Sequence, residues 1–112
     1  MTGQGPEHRL ANYGTLSPGE SNFAQLADLQ GTWSRGTVRG HRLPSGTGPA
    51  EGYPVFRADP SGPEVPVHLL YSPDLPTHWP RLDAFEGEGY RRAVIEVQTP
   101  YGPVLANIYL AA

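Results

Sequence analysis

The sequence predicts an α+β protein: about six short strands and two short helices, the strands curling toward a small mixed β-barrel. Three observations lead there. Short apolar stretches recur along the 112 residues, bounded by Gly, Pro, Asp or Ser, which is the punctuation of β-structure. Only two stretches carry helical spacing instead. A chain of this length also closes one small core, and strands that cannot bury both faces of a flat sheet gain by curling. Fourteen glycines and thirteen prolines bring the composition close to the roughly 25–30% Gly plus Pro typical of disordered chains. Disorder of the whole chain is not expected. Hydrophobic residues make up 38%, the formal net charge is −3, and Gly and Pro separate the apolar runs instead of clustering. One domain is expected over residues 1–112, with residues 1–8 as a flexible tail.

Arg9–Thr15 opens as a strand. Ser21–Gln30 reads as the first helix: Phe23, Leu26 and Leu29 fall three apart, Ser21 or Asn22 can cap its start, and Gly31 suits its stop. Thr32–Arg42 is the second strand, with Gly36 and Gly40 marking bends or bulges. Pro44–Gly52 is a loose segment of turn-forming residues. Tyr53–Ala58 and Val65–Ser72 follow as strands, separated by the turn Asp59-Pro60-Ser61-Gly62. In the latter, Val65, Val67, Leu69 and Tyr71 alternate, while Pro66 cannot donate to a ladder and places the strand at an edge or bulge. Thr77–Phe85 is the second helix, with Thr77 as its cap, Trp79, Leu82 and Phe85 on one stripe, and Pro80 tolerated in the first turn. Tyr90–Thr99 and Val104–Leu110 form a hairpin through Pro100-Tyr101-Gly102-Pro103. Ala93, Ile95 and Val97 share one face of it; Val104, Ala106, Ile108 and Leu110 share another.

The missing residue types exclude whole chemistries. Without cysteine there is no disulfide framework, thiol nucleophile or thiolate metal site. Without lysine there is no Schiff base and no phosphate-loop lysine. Eight arginines against eleven acids argue against a nucleic-acid-binding face. Met1 to His8 has no apolar core for a signal peptide, and no apolar run approaches the ~20 residues of a membrane span. A soluble, cytoplasmic protein is expected, without nucleic-acid or membrane partners.

Two segments can carry chemistry. Tyr13-Gly14-Thr15-Leu16, followed by Ser17-Pro18-Gly19, is a glycine-containing loop running from a strand toward a helix. Such loops can aim several backbone N–H groups at one carboxylate or oxyanion; the alternative is a plain connecting turn. The second segment is Leu82-Asp83-Ala84-Phe85-Glu86-Gly87, then Tyr90-Arg91-Arg92. Glu86 comes off a packed helix end into a turn, and a carboxylate at the edge of an apolar pocket has the raised pKa a general base needs near neutral pH. The alternative is an exposed glutamate paired with Arg91 or Arg92. His8, His41, His68 and His78 form no ligand motif, so no metal is expected; His68 can line a cavity. Ser17, Ser45 and Ser72 lack the G-x-S-x-G context of a hydrolase nucleophile.

Taken in order, Tyr13-Gly14-Thr15-Leu16, Gly31, Tyr53-Pro54-Val55, Val67-His68-Leu69-Leu70-Tyr71, Leu82-Asp83-Ala84-Phe85-Glu86-Gly87 and Tyr90-Arg91-Arg92 make a recognisable series. Together they resemble the gamma-glutamylcyclotransferase-like family over roughly residues 10–110, most closely its gamma-glutamylamine cyclotransferase branch. The resemblance implies a small β-barrel with flanking helices and a cavity between the first-strand loop and the second helix. It implies release of 5-oxoproline from a gamma-glutamyl amine or amide, without metal or cofactor. By position Glu86 matches the family's catalytic glutamate, and Tyr13, Gly14, Thr15 and Leu16 match the loop that grips the glutamyl part. Tyr53 and Tyr90 match substrate-binding positions in pattern. Val67-His68 departs from the Gly-Glu or similar pair common in the family, which bears on the leaving group. The expected partner is a small gamma-glutamyl substrate, and the expected state a monomer or weak homodimer. A non-catalytic module binding a small carboxylate in the same cavity is the other reading.

Overall fold

The computed structural model describes residues 5–112. Its strands are β1 (Arg9–Asn12), β2 (Thr32–Leu43), β3 (Val55–Ala58), β4 (Glu64–Tyr71), β5 (Tyr90–Thr99) and β6 (Gly102–Ala111). Two helices interrupt them, α1 (Ala24–Ala27) and α2 (Leu75–Glu86). The sheet order is β3-β2-β4-β1-β6-β5, antiparallel except for the parallel pair β1–β6. A further antiparallel contact, Thr37 with Gln98, joins β2 to β5. That contact closes five strands into a barrel and leaves β3 as an extra strand on β2, the α+β barrel expected from the sequence.

Closure depends on one glycine. A Cβ on Gly36 would lie 2.6 Å from Val97 Cγ1 and 2.7 Å from the Gln98 carbonyl oxygen, so only glycine lets β5 come this close to β2. Gly36 is nevertheless regularly paired with Val67, so no bulge interrupts β2 there. Gly40 marks a change of partner instead: β2 pairs with β4 over residues 32–39 and with β3 over residues 40–43. Gly36→Ala is expected to destabilise the protein by about 1–3 kcal/mol through overpacking at this seam. Chemical denaturation should show a lower midpoint with an unchanged slope.

Side-chain alternation then builds two cores on the two faces of one wall. Ala11, Val67, Leu69, Val97, Ala106 and Ile108 fill the barrel interior with Val38 and Phe56. Their neighbours Leu10, Leu70 and Tyr109 point outward, under Leu75, Trp79 and Leu82 of α2 and Leu26 of α1. The hairpin faces read from the sequence stand opposite each other as one inner surface, since Ala93 pairs with Ile108, Ile95 with Ala106 and Val97 with Val104.

Several boundaries differ from expectation, each for a local reason. β1 stops at Asn12 rather than Thr15, because the chain turns away there. The first helix shrinks from Ser21–Gln30 to Ala24–Ala27, and neither Ser21 nor Asn22 caps it. Asn22 instead donates from Nδ2 to Thr15 Oγ1 at 2.9 Å, a local side-chain bond that competes with capping. α2 starts two residues earlier than expected, after Asp74, and Thr77 Oγ1 donates back to the Asp74 carbonyl from inside the helix. Pro80 therefore lies in the helix interior, not the first turn; it sits on the exposed face, where water can satisfy the carbonyl it leaves free. Pro66 lies where β4 has β2 on one side and has run past β1 on the other, the edge its missing N–H requires.

Of the tail expected over residues 1–8, residues 1–4 lie outside the described residues. Pro6–His8 form a 3-10 turn, anchored by Trp79 Nε1 donating to the Glu7 carbonyl and Asn107 Nδ2 donating to that of Pro6. Pro44–Gly52 is likewise built rather than loose, with a turn over Gly48–Ala50 and Ala50 buried. Among the described residues no helix is long and apolar enough to cross a membrane.

Candidate active site

A cavity of about 360 Å³ opens where the loop after β1, the segment before β3 and the end of α2 converge. Tyr13, Gly14, Thr15, Leu16, Tyr53, Glu86 and Tyr90, all singled out from the sequence, line it. Buried Ala11, Asn12, Leu16 and Tyr109 form its floor.

The loop wall is shaped by hydrogen bonds to its own carbonyls. Ser17 N–H donates to the Gly14 carbonyl at 3.0 Å and Asn22 N–H to that of Thr15 at 2.8 Å. Asn12 Nδ2 fixes the strand end by donating to the carbonyls of Leu10 and His68, at 3.2 Å each. None of the hydrogen bonds among the described residues uses the N–H of Gly14, Thr15 or Leu16. The loop thus engages the carbonyls of Tyr13, Gly14 and Thr15 and leaves three consecutive donors beside the cavity, the arrangement that suits an anion or developing oxyanion.

Glu86 is the last residue of α2, and the helix ends directly after it at Gly87 (φ 77°). It is half-buried and makes no hydrogen bond or ion pair among the described residues. Burial alone pushes its carboxyl up from an ordinary 4.5 to about 7. The pairing with Arg91 or Arg92 that the sequence left open does not occur. Arg92 is engaged by Asp83, Nε to Oδ1 at 2.8 Å and Nη2 to Oδ2 at 3.2 Å, and by Asn107 Oδ1 at 3.0 Å, over the Trp79 ring at 4.4 Å. Asp83 and Glu86 sit three apart on one helix. Only the first meets a cation, and that difference leaves Glu86 proton-hungry.

The tyrosines are tied to backbone. Tyr90 OH donates to the Pro54 carbonyl at 2.7 Å and Tyr13 OH to that of Tyr109, with the Tyr13 ring packed 5.6 Å from Phe56 inside the barrel. Desolvation raises the pKa of all three phenols, Tyr13, Tyr90 and Tyr109, keeping them neutral donors. Tyr109 OH donates to Asp83 Oδ1 at 2.7 Å, so the cavity floor and α2 share the Asp83–Arg92 pair. Sequence reasoning missed this network, because its members lie up to 26 residues apart and no local pattern joins them. Asp83→Asn is expected to cost about 1 kcal/mol, the lower range for a charge-assisted bond in a partly exposed pair. The arginine and the phenol hold the Asp83 carboxyl below its ordinary range, so this stability is present at neutral pH and is lost as pH falls. Thermal melts of the two proteins should converge in acid.

His68 does not reach the Glu86 cavity. It lines a second one of about 350 Å³ with Arg35 and Arg42, across the Tyr13–Gly14 segment. The departure at Val67-His68 therefore alters a different wall from the one expected. Among the described residues no group of three or more His, Asp or Glu could hold a metal.

The family model described as gamma-glutamyl cyclotransferase, AIG2-like, matches residues 10–112. No curated protein matches significantly. Among solved structures, YkqA from Bacillus subtilis superposes with a TM-score of 0.73 at 24% identity over 93% of this chain, which spans only 35% of that chain. An AIG2-like protein from Mus musculus gives 0.74 at 21% identity, over 94% of this chain and 77% of the other. A structure described as gamma-glutamyl cyclotransferase gives 0.65 at 15% identity, over 94% and 66%. At these identities the superpositions establish the shared fold.

Proposed function

The chain belongs to the gamma-glutamyl cyclotransferase, AIG2-like family, and from that premise we propose that it releases 5-oxoproline from a gamma-glutamyl amine or amide, with Glu86 as acid and base. Glu86 itself carries the reading: a carboxyl without a partner among the described residues, pushed up to about 7 by burial, in the cavity bordered by loop N–H groups that no described residue engages.

The chemistry suits a chain without cysteine or lysine, because the substrate supplies the nucleophile. The Glu86 carboxylate takes a proton from the substrate's α-ammonium. The freed nitrogen attacks the γ-carbonyl carbon, closing a five-membered ring and placing the carbonyl electron pair on oxygen, near the donors of Gly14, Thr15 and Leu16. Glu86 then protonates the amide nitrogen as its bond to carbon breaks. A second proton follows from the ring nitrogen to the departing amine, so the α-ammonium becomes a lactam N–H and the amine leaves protonated. Tyr53 and Tyr90 hold the walls that keep the glutamyl chain folded. Well-oriented intramolecular reactions reach effective molarities of about 10⁵–10⁸ M, which makes folding of the substrate the largest contribution.

The test is incubation of the protein, without added metal or cofactor, with a panel of gamma-glutamyl amides. Equimolar 5-oxoproline and free amine are expected. Release of glutamate would replace cyclisation with hydrolysis. Thermal stabilisation by glutamate-like ligands, with no product from any amide, would favour the binding-only alternative.

A further inference from the structure

We propose that the mouth of the Glu86 cavity selects the leaving group, accepting an apolar, ring-bearing amine, with Phe85 as the specificity-determining residue. This rests on the cyclisation reading and adds to it a substrate class and a residue.

The cavity is graded from floor to rim. Its floor is buried, whereas Pro49, Tyr53 and Phe85 line the same cavity and are exposed. Tyr53 is 55% exposed and Phe85 40%. Phe85 is the third member of the α2 apolar stripe whose other two, Trp79 and Leu82, are buried in the outer core. Of the three it alone is exposed, at the one place where the helix borders the cavity.

The reaction fixes which part of the substrate meets this rim. To be protonated, the leaving nitrogen must come within about 2.6–3.2 Å of the Glu86 carboxyl. Phe85 directly precedes Glu86, and the floor is closed, so the substituent on that nitrogen passes outward between rim residues. An aromatic ring there meets aromatic and proline surface and gains both burial and ring packing.

Charge argues the same way. Among the described residues Glu86 is the only charged side chain lining the cavity, and no arginine or histidine among them lines it. A leaving amino acid would bring its own carboxylate toward Glu86 with no cation to offset it. Arg92 is held by Asp83, and Arg42 Nε donates to the Tyr13 carbonyl from the side of the second cavity.

The experiment compares kcat/KM for three matched amides: gamma-glutamylmethylamine, gamma-glutamylbenzylamine and gamma-glutamylphenylalanine. Benzylamine release is expected to exceed each of the others by about tenfold or more, the scale on which apolar pockets discriminate. Phe85→Ala should collapse the benzyl-to-methyl ratio toward unity, and Phe85→Tyr should retain it. A structural defect would lower both substrates together and leave the ratio unchanged. Similar rates for all three amides, or a ratio indifferent to Phe85→Ala, overturn this inference alone. No 5-oxoproline from any of them overturns the cyclisation reading and this inference with it.

Discussion

Glu86→Gln is expected to lower 5-oxoproline release by about 10²–10⁴-fold, the range for losing one general acid–base group. Glutamine keeps the shape of the side chain and cannot exchange protons. The loss should fall on kcat more than on KM, because in the proposed reaction the carboxyl acts on nitrogens whose protonation changes. Residual turnover should persist, since the loop donors and the folding of the substrate remain in place. A folded variant that cyclises at the native rate would remove Glu86 from the mechanism.

The same group sets the pH profile. In the proposed reaction Glu86 must be ionised in the free protein to take the first proton, and burial pushes its carboxyl up to about 7. Below that pH, kcat/KM should fall by about tenfold per unit. In the complex, the substrate's α-ammonium favours the ionised carboxylate, so the limb in kcat should lie at lower pH than the limb in kcat/KM. The residual activity of Glu86→Gln should lack this limb. A profile unchanged by the substitution would assign the titration to another group.

The residues that line the cavity were legible in the sequence through their order along the chain. Glu86 beside Gly87 at a helix end and Gly14 in a strand-end loop each allowed a plain structural reading, and only the series of motifs joined them. The hairpin was legible because two apolar stretches flank a Pro- and Gly-containing turn and pair in continuous register, although β6 is buried on both faces from Ala106 to Leu110. Helix boundaries were not. Asn22 is as good a cap as any by type, but its side chain is taken by Thr15, seven residues back. Pro80 suggested a late helix start, whereas Pro76 takes the first turn and Pro80 rides the exposed face. The Asp83–Arg92–Tyr109 network was invisible because each bond is made by folding α2 onto the β5–β6 hairpin. Its absence from the sequence reading left the partner of Arg92 open. Once Asp83 is seen to hold that arginine, the isolation of Glu86 follows.

That isolation predicts a variant that gains stability as it loses activity. Burial raises the Glu86 carboxyl from 4.5 to about 7, so ionising it in the folded protein is unfavourable relative to the unfolded chain. The penalty is absent below the unfolded value, grows as pH rises, and is complete above the folded one. At 1.36 kcal/mol per pH unit, it amounts to at most about 3 kcal/mol. Glu86→Gln removes this charge-dependent part. The variant should melt close to wild type at pH 4 and roughly 10 °C above it at pH 8, taking ~4 °C per kcal/mol for a domain of this size. Asp83→Asn carries the opposite sign: it weakens the protein at neutral pH and converges with wild type in acid. Two carboxylates three residues apart on one helix should thus give mirrored pH profiles, one for a group held by a cation and one for a group kept from any. A difference between wild type and Glu86→Gln that stays flat from pH 4 to 8 would mean that Glu86 is solvated in the folded protein and unsuited to act as the base.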